Sequence, residues 1–157
     1  NIKYFNTYKH EEIHEILNVN LINLTLITKV LLKKMIANRW GRIINIASIW
    51  GVNPCKKRAI YSITKSALIS FSKSLAIEYG KYNINSNSIS PGFIMTDLTK
   101  KSLSSNQLKS LKKKVPLQRF GTPKEIAEIA LFLCNEKNYI NGTNIVADGG
   151  FLSGYEI

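Results

Sequence analysis

Ser48, Tyr61 and Lys65 are the residues of this 157-residue chain whose types and spacing could do chemistry. Twelve residues separate the serine from the tyrosine, and three separate the tyrosine from the lysine. On a helix, side chains four positions apart share one face. A free tyrosine titrates near pH ~10 and exchanges protons poorly at neutrality. A fixed ammonium beside the phenol favours the phenolate and brings proton transfer into a working range. A serine hydroxyl within reach could hold the oxygen of a carbonyl while the phenol gives or takes its proton. The three would interconvert a carbonyl and an alcohol, with the hydride supplied from elsewhere.

The flanking sequence must place these groups. Residues 41–47 (Gly-Arg-Ile-Ile-Asn-Ile-Ala) form a short, Ile-rich run closed by small residues, which predicts a buried strand. Ser48 then sits at the strand's carboxyl end, where ligands of open α/β folds bind. After a loop with Gly51, Asn53 and Pro54, helical periodicity runs over about 59–79, with Ile60, Ile63, Ala67, Leu68, Phe71, Leu75 and Ala76 as its apolar stripe. Upstream, residues 1–8 read as loop, and a long helix is predicted over about 9–38. Its stripe is Ile13, Ile16, Leu17, Leu21, Leu24, Ile27, Leu31 and Met35, with Lys33 and Lys34 complementing the dipole near its end. Asn20 interrupts that apolar helix and needs partners there.

Downstream, residues 83–90 predict a second strand, followed by a Pro91-Gly92-Phe93-Ile94-Met95-Thr96 turn with open backbone groups, Thr96 being suited to cap a helix. Residues 97–118 are Ser/Lys-rich and weakly periodic, as expected of a lid, with Lys112-Lys113-Lys114 reading as a solvated face. Thr122-Pro123-Lys124-Glu125 is a capping box with proline at the first helical position. The helix it opens runs to about residue 134 and buries Ile126, Ile129, Ala130 and Leu133. Asn141-Gly142 turns the chain into a last strand, 144–147, closed by Asp148-Gly149-Gly150.

Composition bounds the rest. A hydrophobic share of 45% with 20% charged residues is that of a globular protein of one domain at most. The net charge of +12 invites a nucleic-acid partner. However, 18 of the 22 cations are lysines scattered through an Asn- and Ile-rich sequence, so none is expected. His10-Glu11-Glu12-Ile13-His14 spells a zinc motif, but no third ligand follows: the next carboxylate after Glu15 is Glu78, and no other histidine exists. No metal is expected. Cys55 and Cys134 form no spaced motif, which favours a reducing, cytoplasmic setting. No signal peptide and no uninterrupted apolar run of about eighteen residues is present, so no membrane is expected either.

The run from Ser48 to Lys65 resembles the catalytic segment of the short-chain dehydrogenase/reductase family, and the tail from Arg119 to Gly150 is similar to that family's C-terminus. The resemblance implies an α/β, Rossmann-like doubly wound parallel sheet, of which residues 1–157 supply a single incomplete domain with about three strands. It implies NAD or NADP as cofactor. Asn20, Ser48, Tyr61 and Lys65 become the catalytic set, with Asn20 holding a water in a proton relay. Tyr61, Lys65, Pro91, Gly92, Ile94 and Thr96 become cofactor contacts. Ser48, Trp50, Tyr61 and Phe93 face the substrate, and Ile49 and the 97–118 loop line the pocket. Among relatives the pattern is nearest to 3-oxoacyl-[acyl-carrier-protein] reductases, with sugar or polyol dehydrogenases next. Either a small-molecule or a carrier-bound carbonyl is therefore expected as substrate. A homo-tetramer built on helices 9–38 and 61–80 is expected as the assembly.

One family element is missing. A dinucleotide's pyrophosphate needs a glycine-rich turn before a helix N-terminus, and the chain's only adjacent glycines are Gly149-Gly150. The chain is therefore expected to be a fragment, inactive alone, whose first strand presents an exposed edge. A non-catalytic truncated relative acting as a binding module is the rival reading.

Overall fold

The computed structural model describes residues 2–154. After a 3-10 turn at Phe5–Thr7, where a loop was expected, α1 (His10–Leu17), one π turn (Asn18–Ile22) and α2 (Asn23–Asn38) run on as a single helix. The Glu12 carboxylate caps its start, accepting the Lys9 N–H at 2.9 Å and the Lys3 ammonium at 2.5 Å. Arg39 ends it in the left-handed region, φ 49°. By length and mean hydropathy, 1.4 over its most apolar window, this is the one helix among the described residues that could cross a bilayer. Core helices of globular folds meet the same test.

Three parallel strands follow in the order β1-β2-β3: β1 (Gly41–Ile46), β2 (Ile84–Pro91) and β3 (Asn144–Ala147). Gly41 lies opposite Ile84 and Ile46 opposite Ile89, while Ser88 faces Asn144 and Pro91 faces Ala147. The other edge of β1 has no strand partner among the described residues. Between β1 and β2 come α3 (Ile49–Val52), one turn long, and α4 (Ala59–Tyr79). Residues 97–118, expected as a lid of weak periodicity, hold α5 (Asp97–Ser102) and α6 (Ser105–Lys113). The Thr96 and Ser104 hydroxyls cap them. The predicted capping box opens α7 (Pro123–Cys134): Thr122 accepts the Glu125 N–H, and Glu125 accepts that of Thr122. The Arg119 guanidinium and the Thr122 donors hold the Glu125 carboxyl down to about 2.

Two predicted stripes are corrected. Leu24, Ile27 and Leu31 lie exposed, and Thr25, Thr28 and Leu32 turn inward instead. The π turn inserts an extra residue into the helix, which advances the inward face by one position beyond it. On α4, Ile63 is exposed, while Ile60, Thr64, Leu68, Ser72 and Leu75 form the buried row. Hydrophobicity favoured Ile63, but the helix is aligned by hydrogen bonds as well as by apolar area. Ser72 accepts from the Asn45 amide at 2.8 Å and so ties α4 to β1. On α7 only Leu133 is fully buried; Ile126, Ile129 and Ala130 are half-buried.

The central strand is polar. Ser86, Asn87, Ser88 and Ser90 of β2 are all buried, where an unpaired polar group would be costly. Nearly all are satisfied. Asn87 donates to the Ile140 carbonyl and accepts the Thr143 N–H, while the Ser88 and Ser90 hydroxyls both donate to Asn144. Asn141 accepts the Ser86 N–H at 2.8 Å. The 140–144 turn is thereby fastened to the sheet, with Gly142 supplying the left-handed conformation at φ 72°. The apolar core proper has Leu32, Leu75 and Ile84 at its centre.

Candidate active site

The carboxyl end of β1 assembles the expected residues from three helices. Ser48 is buried and extended (φ −170°), and its hydroxyl caps α3 by accepting the Trp50 N–H at 3.2 Å. The strand ladder continues just before it through Ala47 N–H to the Ile89 carbonyl, 2.7 Å, so the serine leaves the sheet on a fixed backbone. From α4, the Lys65 ammonium donates to the carbonyl of Ile46, the last residue of β1, at 2.8 Å. It lies 5.7 Å from the centre of the Tyr61 ring, on the same face of the helix. Burial holds the Lys65 ammonium below the usual lysine range, because desolvation penalises the charged form.

Asn20 stands in the π turn, which packs against α4. Its side chain makes no hydrogen bond to another described residue, leaving its amide free for water or ligand. π turns recur at functional sites because they place one side chain out of helical register. Two contributors escaped the sequence reading. Arg58 sets its guanidinium carbon 5.7 Å from the Tyr61 ring centre; the signal was its position three residues before Tyr61. Gly51 is the other. It was read as a loop residue, but it lies buried against α4, where a Cβ would come within 2.7 Å of the Lys65 carbonyl carbon. Its own carbonyl accepts the Ser66 hydroxyl at 2.5 Å.

Beyond Ser48 an aromatic wall forms. The Trp50 ring meets Phe93 and Phe151 edge-on at 6.0 and 5.8 Å, and Phe93 meets Phe151 at 5.1 Å. Ile49, expected at the pocket wall, is instead fully buried; the single turn of α3 packs on α4 and β2 and carries this side chain inward. Pro91 is the last residue of β2 rather than the first of the turn. Gly92 donates to the Ala147 carbonyl, and a Cβ there would meet the Asp148 Cα at 2.7 Å. Ile94 bridges to Gly121, yet its own N–H makes no hydrogen bond among the described residues. The Thr96 hydroxyl accepts the Thr99 N–H at 3.1 Å. The Lys65 ammonium, the Ile94 N–H and the Thr96 hydroxyl are groups of the kind that could hold a dinucleotide's nicotinamide end. Among the described residues no group of three or more His, Cys, Asp or Glu side chains gathers as a metal site.

Comparison with known proteins identifies the family and the fold. A family model described as enoyl-(acyl carrier protein) reductase matches residues 2–152. The chain belongs to the short-chain dehydrogenase/reductase family. It is 46% identical over 138 residues to a 3-oxoacyl-[acyl-carrier-protein] reductase of Aquifex aeolicus, covering 87% of this chain and 55% of that protein. A 4-hydroxyisoleucine dehydrogenase complexed with NADH superposes with a TM-score of 0.92 at 32% identity, over 98% of this chain and 65% of its own. A gluconate 5-dehydrogenase from Burkholderia cenocepacia, in complex with NADP and tartrate, gives 0.92 at 26% identity, over 99% and 62%. The chain thus spans a little over half the length of the curated relative.

Gly51→Ala tests the packing beneath the site. The new methyl must part α3 from α4 at Lys65, so a loss of about 1–3 kcal/mol in denaturant unfolding is expected. Gly80→Ala, whose methyl would meet only the Asn141 amide at 3.4 Å, is the tolerated control. Wild-type stability in Gly51→Ala would contradict the packing argument.

Proposed function

We propose that this chain carries the catalytic centre of an NAD(P)-dependent oxidoreductase interconverting a carbonyl and a secondary alcohol. The observation that carries the reading is the Lys65 ammonium, bonded to the final carbonyl of β1 and 5.7 Å from the Tyr61 ring centre. When bound, the nicotinamide cofactor supplies or accepts the hydride. Tyr61 donates its phenolic proton to the oxygen of the substrate during reduction and recovers it during oxidation. The Ser48 hydroxyl donates to the same oxygen as charge develops on it. Lys65 holds the ribose hydroxyls of the cofactor. The free amide of Asn20 holds a water that returns the proton from solvent. Pro91, Gly92, Ile94 and Thr96 form the cofactor's side of the cleft, with the Ile94 N–H as the available backbone donor. Trp50 and Phe93 form the substrate's side.

A 3-oxoacyl group on an acyl carrier is the leading substrate, supported by the likeness to the Aquifex reductase. Its carbonyl sits on a flexible apolar chain that the Trp50–Phe93–Phe151 wall can receive. A sugar or polyol dehydrogenase is the second reading, supported by the gluconate dehydrogenase fold at TM-score 0.92. Against the non-catalytic reading stands the pairing of Tyr61 with Lys65 on one face of α4. The partners are a small or carrier-bound carbonyl and second copies of the chain, with no nucleic acid or membrane, in the cytoplasm. The apolar side chains left exposed on α2 and α4, such as Val30 at 70% and Ile77 at 84%, are the surface that a homo-tetramer would cover.

In the whole enzyme, Tyr61→Phe is expected to cut turnover at least about a hundredfold while leaving cofactor affinity within about twofold. Full turnover in this variant would remove Tyr61 as the acid. Sedimentation of the whole enzyme is expected to give a tetramer, and a monomer at micromolar concentration would contradict the shared helical interface.

A further inference from the structure

A cavity of about 690 Å³ opens beside the aromatic wall, lined among others by Trp50, Phe151, Pro116, Lys113, Lys114 and Gln118. Among the described residues no carboxylate lines it. Neither lysine has an acidic partner among the described residues. The smaller cavity of about 430 Å³ against α7 differs, since its Arg119 is neutralised by Glu125 at 2.6 Å.

The two lysines stand on a built segment. Val115, immediately after them, is buried, and Leu117 N–H donates to the Gly149 carbonyl at 3.2 Å. Gly149 and Gly150 take left-handed conformations, φ 66° and 88°, and a Cβ on either would strike Val115 or Pro116 at 2.8 and 3.1 Å. The Asp148 carboxylate locks that turn by accepting the Gly150 and Leu152 N–H groups. Gln118 reaches back to the Lys113 carbonyl at 3.4 Å. On the opposite wall Trp50 is fixed by its N–H to Ser48. The sequence alone reads this lysine triplet as a solvated face, and all three are exposed, but Lys113 and Lys114 also line the cavity that holds Trp50, two residues after Ser48.

We infer that this cavity binds an anionic group carried by the substrate, a carboxylate or a phosphate, through Lys113 and Lys114, and that these two lysines set substrate preference. The inference rests on the carbonyl-reducing reading above. Two unpaired ammonium groups facing an aromatic wall attract an anion attached to an apolar or planar body, because charge-assisted hydrogen bonds exceed neutral ones in strength and the partly enclosed cleft limits screening.

Three ketones separate the cases in the whole enzyme: acetoacetate, acetoacetyl-4′-phosphopantetheine and neutral ethyl acetoacetate. In Lys113→Gln/Lys114→Gln, kcat/KM for the anionic ketone relative to the ester is expected to fall about tenfold or more, chiefly through KM. Lys113→Arg/Lys114→Arg is expected to retain the preference. Whether acetoacetate or the phosphopantetheine thioester loses its advantage identifies carboxylate or phosphate as the group bound. A parallel loss for ester and anions, or no change, overturns the inference. Binding of the same three compounds, read by Trp50 fluorescence in a Trp40→Phe background, supplies a second readout independent of turnover. Anion-selective quenching that the Gln substitutions abolish supports the site even where no ketone is reduced, in which case only the reading of the reaction fails. Quenching that is equal for all three compounds, or indifferent to the lysines, overturns the site itself.

Discussion

A lysine ammonium bonded to the last carbonyl of a parallel strand is the contact on which the rest of this molecule's chemistry depends. Strand ends leave carbonyls without ladder partners, and here Lys65 takes that of Ile46 at 2.8 Å. The bond spends one of three ammonium donors. It also holds α4 to the end of β1, with Tyr61 one turn earlier on the face of α4 that bears Lys65. The partial burial that comes with this position lowers the affinity of Lys65 for its proton. An ammonium so placed is not hydrated freely, and its field acts on its neighbours with less screening than at an open surface.

Holding α4 that close requires small groups beneath it. Gly51 admits the Lys65 backbone, and Ser72 with Asn45 substitutes a hydrogen bond for bulk between helix and strand. The same logic explains the buried Asn and Ser side chains of β2. Apolar residues of equal size would bury more area, but these polar ones tie the 140–144 turn to the sheet, and that turn delivers β3 and then Asp148. Asp148, through the Gly149-Gly150 turn, supports the segment bearing Lys113 and Lys114. A chain of backbone-directed hydrogen bonds therefore runs from the central strand to the far rim of the cleft.

Much of this was legible in the residues. The bounds of α4, α7 and β3 follow from helical periodicity, a capping box and an Asn-Gly turn, all local signals. The shared face of Tyr61 and Lys65 follows from a spacing of four. What was not legible depends on groups far apart in sequence or on register shifts with no residue signature. Nothing in Asn18–Ile22 announces a π turn, yet that turn decides that Leu32 rather than Leu31 enters the core. Ile63 has a stronger apolar signal than Thr64, but the pairing of Ser72 with Asn45, 27 residues apart, rotates the helix the other way. The role of Gly51 appears only once α3 lies on α4, and the lysine-lined cavity only once residues 113–118 meet residues 149–152.

The dual position of Lys65, bonded to the strand end and beside the phenol, makes a claim that one substitution addresses. Cofactor affinity and turnover measured together in Lys65→Met of the whole enzyme test it most directly. The account predicts that both fall, affinity by about tenfold or more and turnover further still, because one ammonium serves ribose and phenol from a single site. A Lys65→Met enzyme that binds cofactor and turns over like wild type would contradict it.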